Sequence, residues 1–359
     1  MTTTTTTMTT MTTTMSDAGR IARRSRALFA LRDWLRSADF VEADTPQLVP
    51  GPGLEPHIDP LGVDVALDLH GRHRARRYLI TSPELALKRV VAAGVPRVFQ
   101  LGHVFRDGER SPRHTPEFTL LEWYRGPGTL DVILDDTMAL IRAMATAVGG
   151  SVSAVGGSVS AVDVMAPPER LTLTEAFARH ADVDLDAAID DTAAGDAAAL
   201  ARRARRAGVC FVGSDDDVSF DDAFFAIMDT RVEPAIGLHR LCALERWPAT
   251  MAVLARVCDD DPRYAHRFEL YGHGATGCLE LCNAFDELTD PIEQRRRFEG
   301  DNAIRRALNK VQLPLDEDFL AALPHLPQPT AGNALGVDRV LMLLTGASSI
   351  DDVHALPFR

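Results

Sequence analysis

The sequence predicts an α+β protein in which a mainly antiparallel sheet is flanked by helices. Residues 97–105 and 117–125 both read as strands, and the polar, turn-rich RDGERSPRHTP between them makes the pair an antiparallel hairpin with a long loop. Residues 266–287 read as two more strands joined by the glycine-rich GHGATG. Helical spacing recurs around these strands, as in Ile21, Leu28, Leu31, Leu35 and Ala38, which mark one helix face.

In chain order, residues 1–15 contain only Met and Thr, which cannot build a core. Residues 1–16 are therefore expected to be a disordered tail, and 17–359 a single folded domain. After the first helix, Phe40-Val41-Glu42 leads into Thr45-Pro46, an extended stretch closed by proline. GPGLEP at 51–56 is a loop, and 61–69 reads as a strand. Ser82-Pro83-Glu84 opens a second helix, with Ser82 as cap, Pro83 at the first helical position and Gly94 as stop. Residues 129–148 read as an amphipathic helix. GGSVSAV then occurs twice in tandem, at 149–155 and 156–162, and reads as a duplicated variable surface loop near 149–165. Residues 182–217 read as a solvated helix carrying Arg202, Arg203, Arg205 and Arg206, followed by the acidic SDDD. Asp290-Pro291-Ile292-Glu293 matches a capping box. AGNALGVDRVLMLLTG reads as a glycine-bearing turn entering an apolar helix.

Composition narrows the function. With 38 Lys+Arg against 51 Asp+Glu the chain carries a balance of −13, which argues against broad nucleic-acid binding through a positive field. The only lysines are Lys88 and Lys310, a bias read as genomic base composition. Five scattered cysteines argue against a disulfide framework and for a reducing cytoplasm. There is no apolar run of transmembrane length, so no membrane association is expected.

The chemistry-bearing residues fall into four groups. In strand 117–125, alternation puts Phe118, Leu120, Glu122 and Tyr124 on one face, a floor suited to a cationic, aromatic-bearing ligand or, alternatively, a half-buried face whose Glu122 pairs with an arginine. Arg106, Arg110, Arg113 and His114 crowd the preceding loop, as bidentate phosphate binding requires, though a solvated loop is also compatible. Gly336-Val337-Asp338-Arg339 puts a glycine and an arginine at a helix start, where an anion can approach backbone N–H groups. Glu269, Glu280 and Glu287 could bind Mg²⁺ or a ligand ammonium. Glu280 and Glu287 are an odd number of residues apart, so the strand must bend if both serve one site. No P-loop, dinucleotide fingerprint or zinc spacing is present, and His273, Cys278 and Cys282 fit no zinc pattern.

In combination these segments resemble a known family. FRDGERSPRHTPEFTLLEWYR is similar to motif 2 of class II aminoacyl-tRNA synthetases of the lysyl branch, GNALGVDRVLML to motif 3, and RALFALRDWLRSADFVEADTPQL to motif 1, ending at Pro46. TSPELALKR and LELCNAFDELTD match the lysyl branch between those motifs. Lysyl-tRNA synthetases carry an anticodon-binding domain before motif 1, which here begins near residue 20. The chain is similar instead to the stand-alone paralogues that ligate lysine or (R)-β-lysine onto a lysine of elongation factor P.

The resemblance implies a class II catalytic fold, ATP as substrate, Mg²⁺ as cofactor, an aminoacyl-adenylate intermediate and a homodimer built through motif 1. Arg106 and Arg339 are the implied catalytic residues: Arg106 for the α-phosphate and the amino-acid carboxylate, Arg339 across adenine from Phe118 and reaching the γ-phosphate. His114 would help hold the triphosphate, and Glu269 and Glu280 the metal. Asp107, Gly108, Glu109, Thr115, Leu281 and Gly336 complete the implied ATP site. Ser82, Pro83, Glu84 and Glu122 would receive the near amino group of the substrate, and Tyr124 and Glu287 the far ammonium. Asn283 and Ala334 would line the pocket. The family usually has Arg-Asn-Glu where this chain has Arg106-Asp107-Gly108-Glu109, so Glu109 would take over a displaced role, and Thr115 replaces the usual Asn. Ala334 stands where lysyl-tRNA synthetases have glycine and the paralogue has alanine. Elongation factor P is the implied partner rather than tRNA. The alternatives are a minimal lysyl-tRNA synthetase and a non-catalytic amino-acid or nucleotide sensor.

Overall fold

The computed structural model describes residues 5–149, 162–189, 196–211 and 218–358, with side chains from Asp17 onward. The tandem GGSVSAV repeat and the SDDD segment fall almost wholly outside the described residues.

In chain order the elements are α1 (Thr5–Ser37), β1 (Val41–Glu42), β2 (Leu48–Val49), β3 (Gly62–Ala66), β4 (Arg74–Leu79), α2 (Glu84–Ala92), β5 (Arg97–Phe105), β6 (Glu117–Arg125) and α3 (Leu130–Val148). There follow β7 (Glu169–Thr172), α4 (Leu173–Ala181), α5 (Ala197–Arg206), α6 (Phe220–Ile227), β8 (Cys242–Pro248), β9 (Tyr264–Gly274) and β10 (Gly277–Asp286). The chain ends with α7 (Pro291–Ala307), α8 (Glu317–Ala322), β11 (Ala331–Gly336) and α9 (Val337–Thr345). Eight strands form one sheet in the order β1-β5-β6-β11-β10-β9-β8-β7, and β2-β4-β3 form a second. Within the large sheet only the edge pairs β1–β5 and β7–β8 are parallel; the central strands pair antiparallel.

Each strand divides its residues between two faces. Leu121 and Trp123 of β6, Leu270 of β9 and Leu335 of β11 join Leu31 and Leu35 of α1, Ile141 and Met144 of α3, and Leu343 of α9 in the main core. The opposite face of the same strands carries Phe118, Leu120, Glu122 and Tyr124, as the period-two pattern requires. A second core joins α4, α5 and α6 to β8, with Phe177, Phe224 and Trp247 in contact.

Helix α1 runs from Thr5 to Ser37. Several local expectations need correction. Ile21 is 45% exposed and does not join the α1 core face, since packing begins nearly two turns later at Ala27. Pro83 is the N-cap of α2 rather than its first helical residue, although Ser82 Oγ still accepts from Glu84 N at 3.1 Å. Gly94 ends that helix region at φ +103°, with its N–H on Val91 O. The box at Asp290 is half made: Asp290 accepts from Ile292 and Glu293 N, but the Glu293 carboxylate turns to Arg296 and Arg297, which hold it down to about 2. Helix α5 is not solvated all round, because Ala199, Leu200, Ala201 and Ala204 are buried beneath its arginines.

Candidate active site

The site lies on the face of the large sheet opposite the main core, across β6, β11, β10 and β9. In β10 the register shifts between Glu280 and Cys282, so Leu281 is the extra residue of a bulge. That residue reverses the alternation. Leu279, Leu281, Cys282 and Ala284 point into the core, while Glu280 and Asn283 lie on the site face and the chain continues to Glu287. The bend required to bring Glu280 and Glu287 to one site is this bulge. The Leu281 side chain is 1% exposed in the core, so only its backbone faces the site.

At one end of the site is a buried acidic pocket. Glu122, 1% exposed, accepts from Ser82 Oγ and from Tyr124 OH, the latter at 2.6 Å. The Ser82 hydroxyl thereby joins the start of α2 to β6. Lys88, one α-helical turn beyond Glu84, sets its Nζ 2.5 Å from both Glu84 and Glu287. Glu287 Oε1 is buried without a hydrogen-bond partner among the described residues. Ala334 pairs with Glu122 and Gly332 with Tyr124 across β11–β6. Burial pushes Glu122 up to about 8, with Glu84 adding repulsion against the hydrogen bonds from Ser82 and Tyr124. Burial likewise pushes Glu287 up to about 8, opposed by Lys88. Burial and Glu122 raise the Tyr124 phenol well above its ordinary value.

At the other end is a cationic loop. Phe118 is four residues along β6 from Glu122, roughly 13 Å away at strand spacing. The Arg106 guanidinium lies 5.0 Å from the Phe118 ring centroid and 3.7 Å from Glu109. Arg339 donates to Glu280 O at 3.0 Å, to Glu280 Oε2 at 3.2 Å and to His114 Nε2 at 2.7 Å. With Nε2 accepting, His114 Nδ1 carries the proton and donates to Ser111 Oγ at 2.8 Å. Burial and the neighbouring Arg339 hold His114 below its ordinary value, consistent with a neutral imidazole. Arg113 donates to Cys278 O, whereas Arg110 turns away to Asp351. Asp107 is tied by its N–H to Asp59 O, and Gly108 takes φ +77°, which makes the turn. Thr115 is buried, its hydroxyl without a partner among the described residues. Gly336 is the N-cap of α9. The next acid, Asp338, accepts from Thr119 N at 2.7 Å and pairs with Arg24 at 2.5 Å, so it fixes α9 against β6 and α1 and thereby aims Arg339.

Glu269 and Glu280 sit on adjacent antiparallel strands, two register pairs apart across the bulge. Glu269 is 5% exposed and takes hydrogen bonds from Arg267 and Tyr271, while Arg267 also donates to Asn283 Oδ1 at 3.0 Å. Burial, then repulsion from Glu280, pushes Glu269 up to about 7. Among the described residues no group of three or more potential metal ligands converges. Two neighbouring carboxylates nevertheless fit Mg²⁺, which commonly takes one or two carboxylates and completes its shell with water and substrate phosphates.

Reading the sequence missed Lys88, Arg267 and Tyr271 as site residues. A signal existed for each: Lys88 is four residues from Glu84 in a helix, and Arg267 and Tyr271 flank Glu269 at the strand period.

The family model for class II tRNA synthetases (D, K and N) matches residues 3–359, so the chain belongs to that family, and its mostly antiparallel sheet with flanking helices is the class II catalytic fold. More particularly, it is 35% identical over 340 residues, 93% of this chain and 94% of the relative, to the elongation factor P–(R)-β-lysine ligase of Pseudoalteromonas translucida (strain TAC 125). It is 34% identical over 335 residues to the protein of that name from Klebsiella pneumoniae (strain 342), with 93% and 94% covered. The Pectobacterium carotovorum subsp. carotovorum (strain PC1) protein of that name is 37% identical over 278 residues, covering 77% and 76%.

Proposed function

We propose that the protein activates (R)-β-lysine with ATP as an adenylate and transfers it to a lysine of elongation factor P. The observation that carries this reading is the charge arrangement of the acidic pocket. With the carboxylates ionised, as bound ammonium groups favour, Lys88 cancels one of Glu84, Glu122 and Glu287 and leaves two negative charges for a substrate bearing two ammonium groups. The orphaned Glu287 Oε1 is an acceptor for the far ammonium, and Ser82 with Glu122 for the near one.

Arg106 draws the substrate carboxylate towards the nucleotide, and a carboxylate oxygen attacks the α-phosphorus as pyrophosphate leaves. Arg339 and Arg113 are placed to take up charge on the departing phosphates, with neutral His114 orienting Arg339. Glu269 and Glu280 would hold Mg²⁺, which would supply charge neutralisation at the phosphates. The ε-amine of the acceptor lysine then attacks the adenylate carbonyl, forms the amide and releases AMP and a proton.

The same reading includes a homodimer through motif 1. It is supported by three apolar side chains displayed there: Phe29 is 63%, Val41 54% and Leu48 38% exposed. No helix among the described residues is long and apolar enough to cross a membrane.

The test is to incubate the protein with ATP, elongation factor P and each lysine isomer, then weigh the elongation factor. The expected result is a gain of one lysyl unit, faster with (R)-β-lysine than with α-lysine. Faster charging of purified tRNA than of the protein substrate would overturn the reading.

A further inference from the structure

The β3–β4 hairpin carries a charge opposite to that of the chain, and none of the roles above uses it. Between residues 61 and 79 stand Arg72, Arg74, Arg76 and Arg77 against Asp64 and Asp68, in a chain whose balance is −13. Asp68 is engaged within the turn: its carboxylate accepts from the N–H groups of His70, Arg72 and His73 and pairs with His73 Nδ1 at 2.7 Å. Asp64 meets Arg76 at 3.3 Å, an exposed pair of the kind that holds its partners weakly. Arg72 and Arg74 make no ion pair among the described residues; the Arg74 guanidinium donates to the Asp64 carbonyl at 2.6 Å. Beside these charges Leu67 is 57% exposed and Leu69 fully exposed.

Register decides where the arginines point. Gly62 pairs with Tyr78, Asp64 with Arg76 and Ala66 with Arg74, so Arg74, Arg76 and Tyr78 share one face. Tyr78 packs against the cluster that holds Tyr124 and Leu85, and the Arg76 guanidinium lies 5.9 Å from its ring centroid. Arg74 is one period farther out, about 7 Å along the strand. Directly after β4, Ile80 packs with Phe118 and Leu120 on the site face, and Ser82 follows. Leu48, offered above to the dimer, lies on the opposite face of this small sheet, because it pairs with Leu79. The root of the hairpin is fixed: Asp59 pairs with Arg305 at 2.8 Å and with Lys310 at 2.9 Å, and its carbonyl accepts from Asp107 N. The basic face therefore runs outward, on an anchored root, from the cluster that backs the acidic pocket.

A basic strip edged by exposed leucines fits an acidic protein surface that also offers apolar contact. The rest of the chain, acidic on balance, repels such a surface, so the hairpin both attracts and orients it. The chemistry calls for a dock of this kind: the amine that attacks the adenylate belongs to a macromolecule, whose surface around the acceptor lysine must rest on the enzyme. An RNA backbone would use the arginines and make no use of the leucines.

Resting on the function proposed above, we propose that the Arg72, Arg74 and Arg76 face of the β3–β4 hairpin, with Leu67 and Leu69, is the surface on which the protein substrate docks through an acidic patch near its acceptor lysine.

The experiment uses the full-length protein, wild type and the double variant Arg72→Glu/Arg74→Glu. Arg202→Glu/Arg206→Glu, at exposed positions of α5, serves as an equal charge change elsewhere. Each is measured in ATP–pyrophosphate exchange with (R)-β-lysine and in transfer to elongation factor P. In the hairpin variant the KM for elongation factor P should rise at least about tenfold, while exchange stays within about twofold of wild type. The α5 pair should leave both unchanged, and Leu67→Ser/Leu69→Ser should raise the same KM without altering exchange. A second measurement needs no variant: raising salt from about 50 to about 250 mM should weaken wild-type transfer far more than exchange. An unchanged KM in the hairpin variant, an equal rise in the α5 pair, or equal salt sensitivity of the two reactions would overturn the surface. So would a shift of the hairpin variant from dimer to monomer in sedimentation velocity, which would make the hairpin a subunit contact. Inhibition of wild-type transfer by purified tRNA, escaped by the hairpin variant, would overturn it in favour of RNA. Wild-type protein that exchanges pyrophosphate with (R)-β-lysine but leaves elongation factor P unmodified would instead overturn the function itself.

Discussion

Glu122 and Glu287 are each pushed up to about 8 from an ordinary 4.5 by burial, so the folded protein holds protons that the unfolded chain has lost. For such a group the sign is fixed. The stabilisation is present in full below the unfolded value and is lost as pH rises through the folded one. A diamino acid bound in the pocket reverses this, because its ammonium groups favour the ionised carboxylates. The thermal stabilisation by (R)-β-lysine is therefore expected to be larger at about pH 8 than at about pH 5.5, as scanning calorimetry at both values can measure. Equal stabilisation at both would contradict the assignment of these carboxylates to the ammonium groups. The residues themselves were largely readable from the sequence, because Ser82, Glu84, Glu122 and Tyr124 fall at helix-start and strand-period positions. Their charge balance was not readable, because Lys88 meets Glu287 only through tertiary packing.

At the scale of single elements, β10 and β11 decide whether the site exists. The extra residue Leu281 moves Asn283 onto the face of Glu280, and the chain then delivers Glu287 to the same site. A sequence reading can demand such a bend, as the odd spacing does here, but cannot locate it, because a bulge is defined by its partner strand. In β11, Gly332 lies so close to the Tyr124 ring that a Cβ there would overlap it. Gly332→Ala is expected to displace Tyr124, break its hydrogen bond to Glu122 and cost about 1–3 kcal/mol of stability. It should also raise the KM for the amino acid more than that for ATP. Urea denaturation and pyrophosphate exchange together check this, and equal changes in both KM values would argue against a local effect on the amino-acid pocket.

For the whole molecule, the exposed Phe29, Val41 and Leu48 give the homodimer its test. Phe29→Glu is expected to shift the protein from dimer to monomer in sedimentation velocity, with the charge buried at an apolar interface opposing association. A wild-type monomer at micromolar concentration would count against the dimer. The large sheet also explains what remained out of reach. Strands β7 and β8 and helices α4 and α6 drew no expectation, being short and stabilised mainly by the aromatic contacts of Phe177, Phe224 and Trp247 across distant segments. Local pattern was enough for the hairpin β5–β6, for the amphipathic helix α3 and for the motif residues Arg106, Glu122 and Arg339, since alternation, helical period and motif spacing are properties of neighbours along the chain. Folding alone decided that Lys88 is shared by Glu84 and Glu287, and that Arg339 turns to His114 and Glu280. Each of these depends on which distant segments the core brings together and on how far burial strips water from their charges.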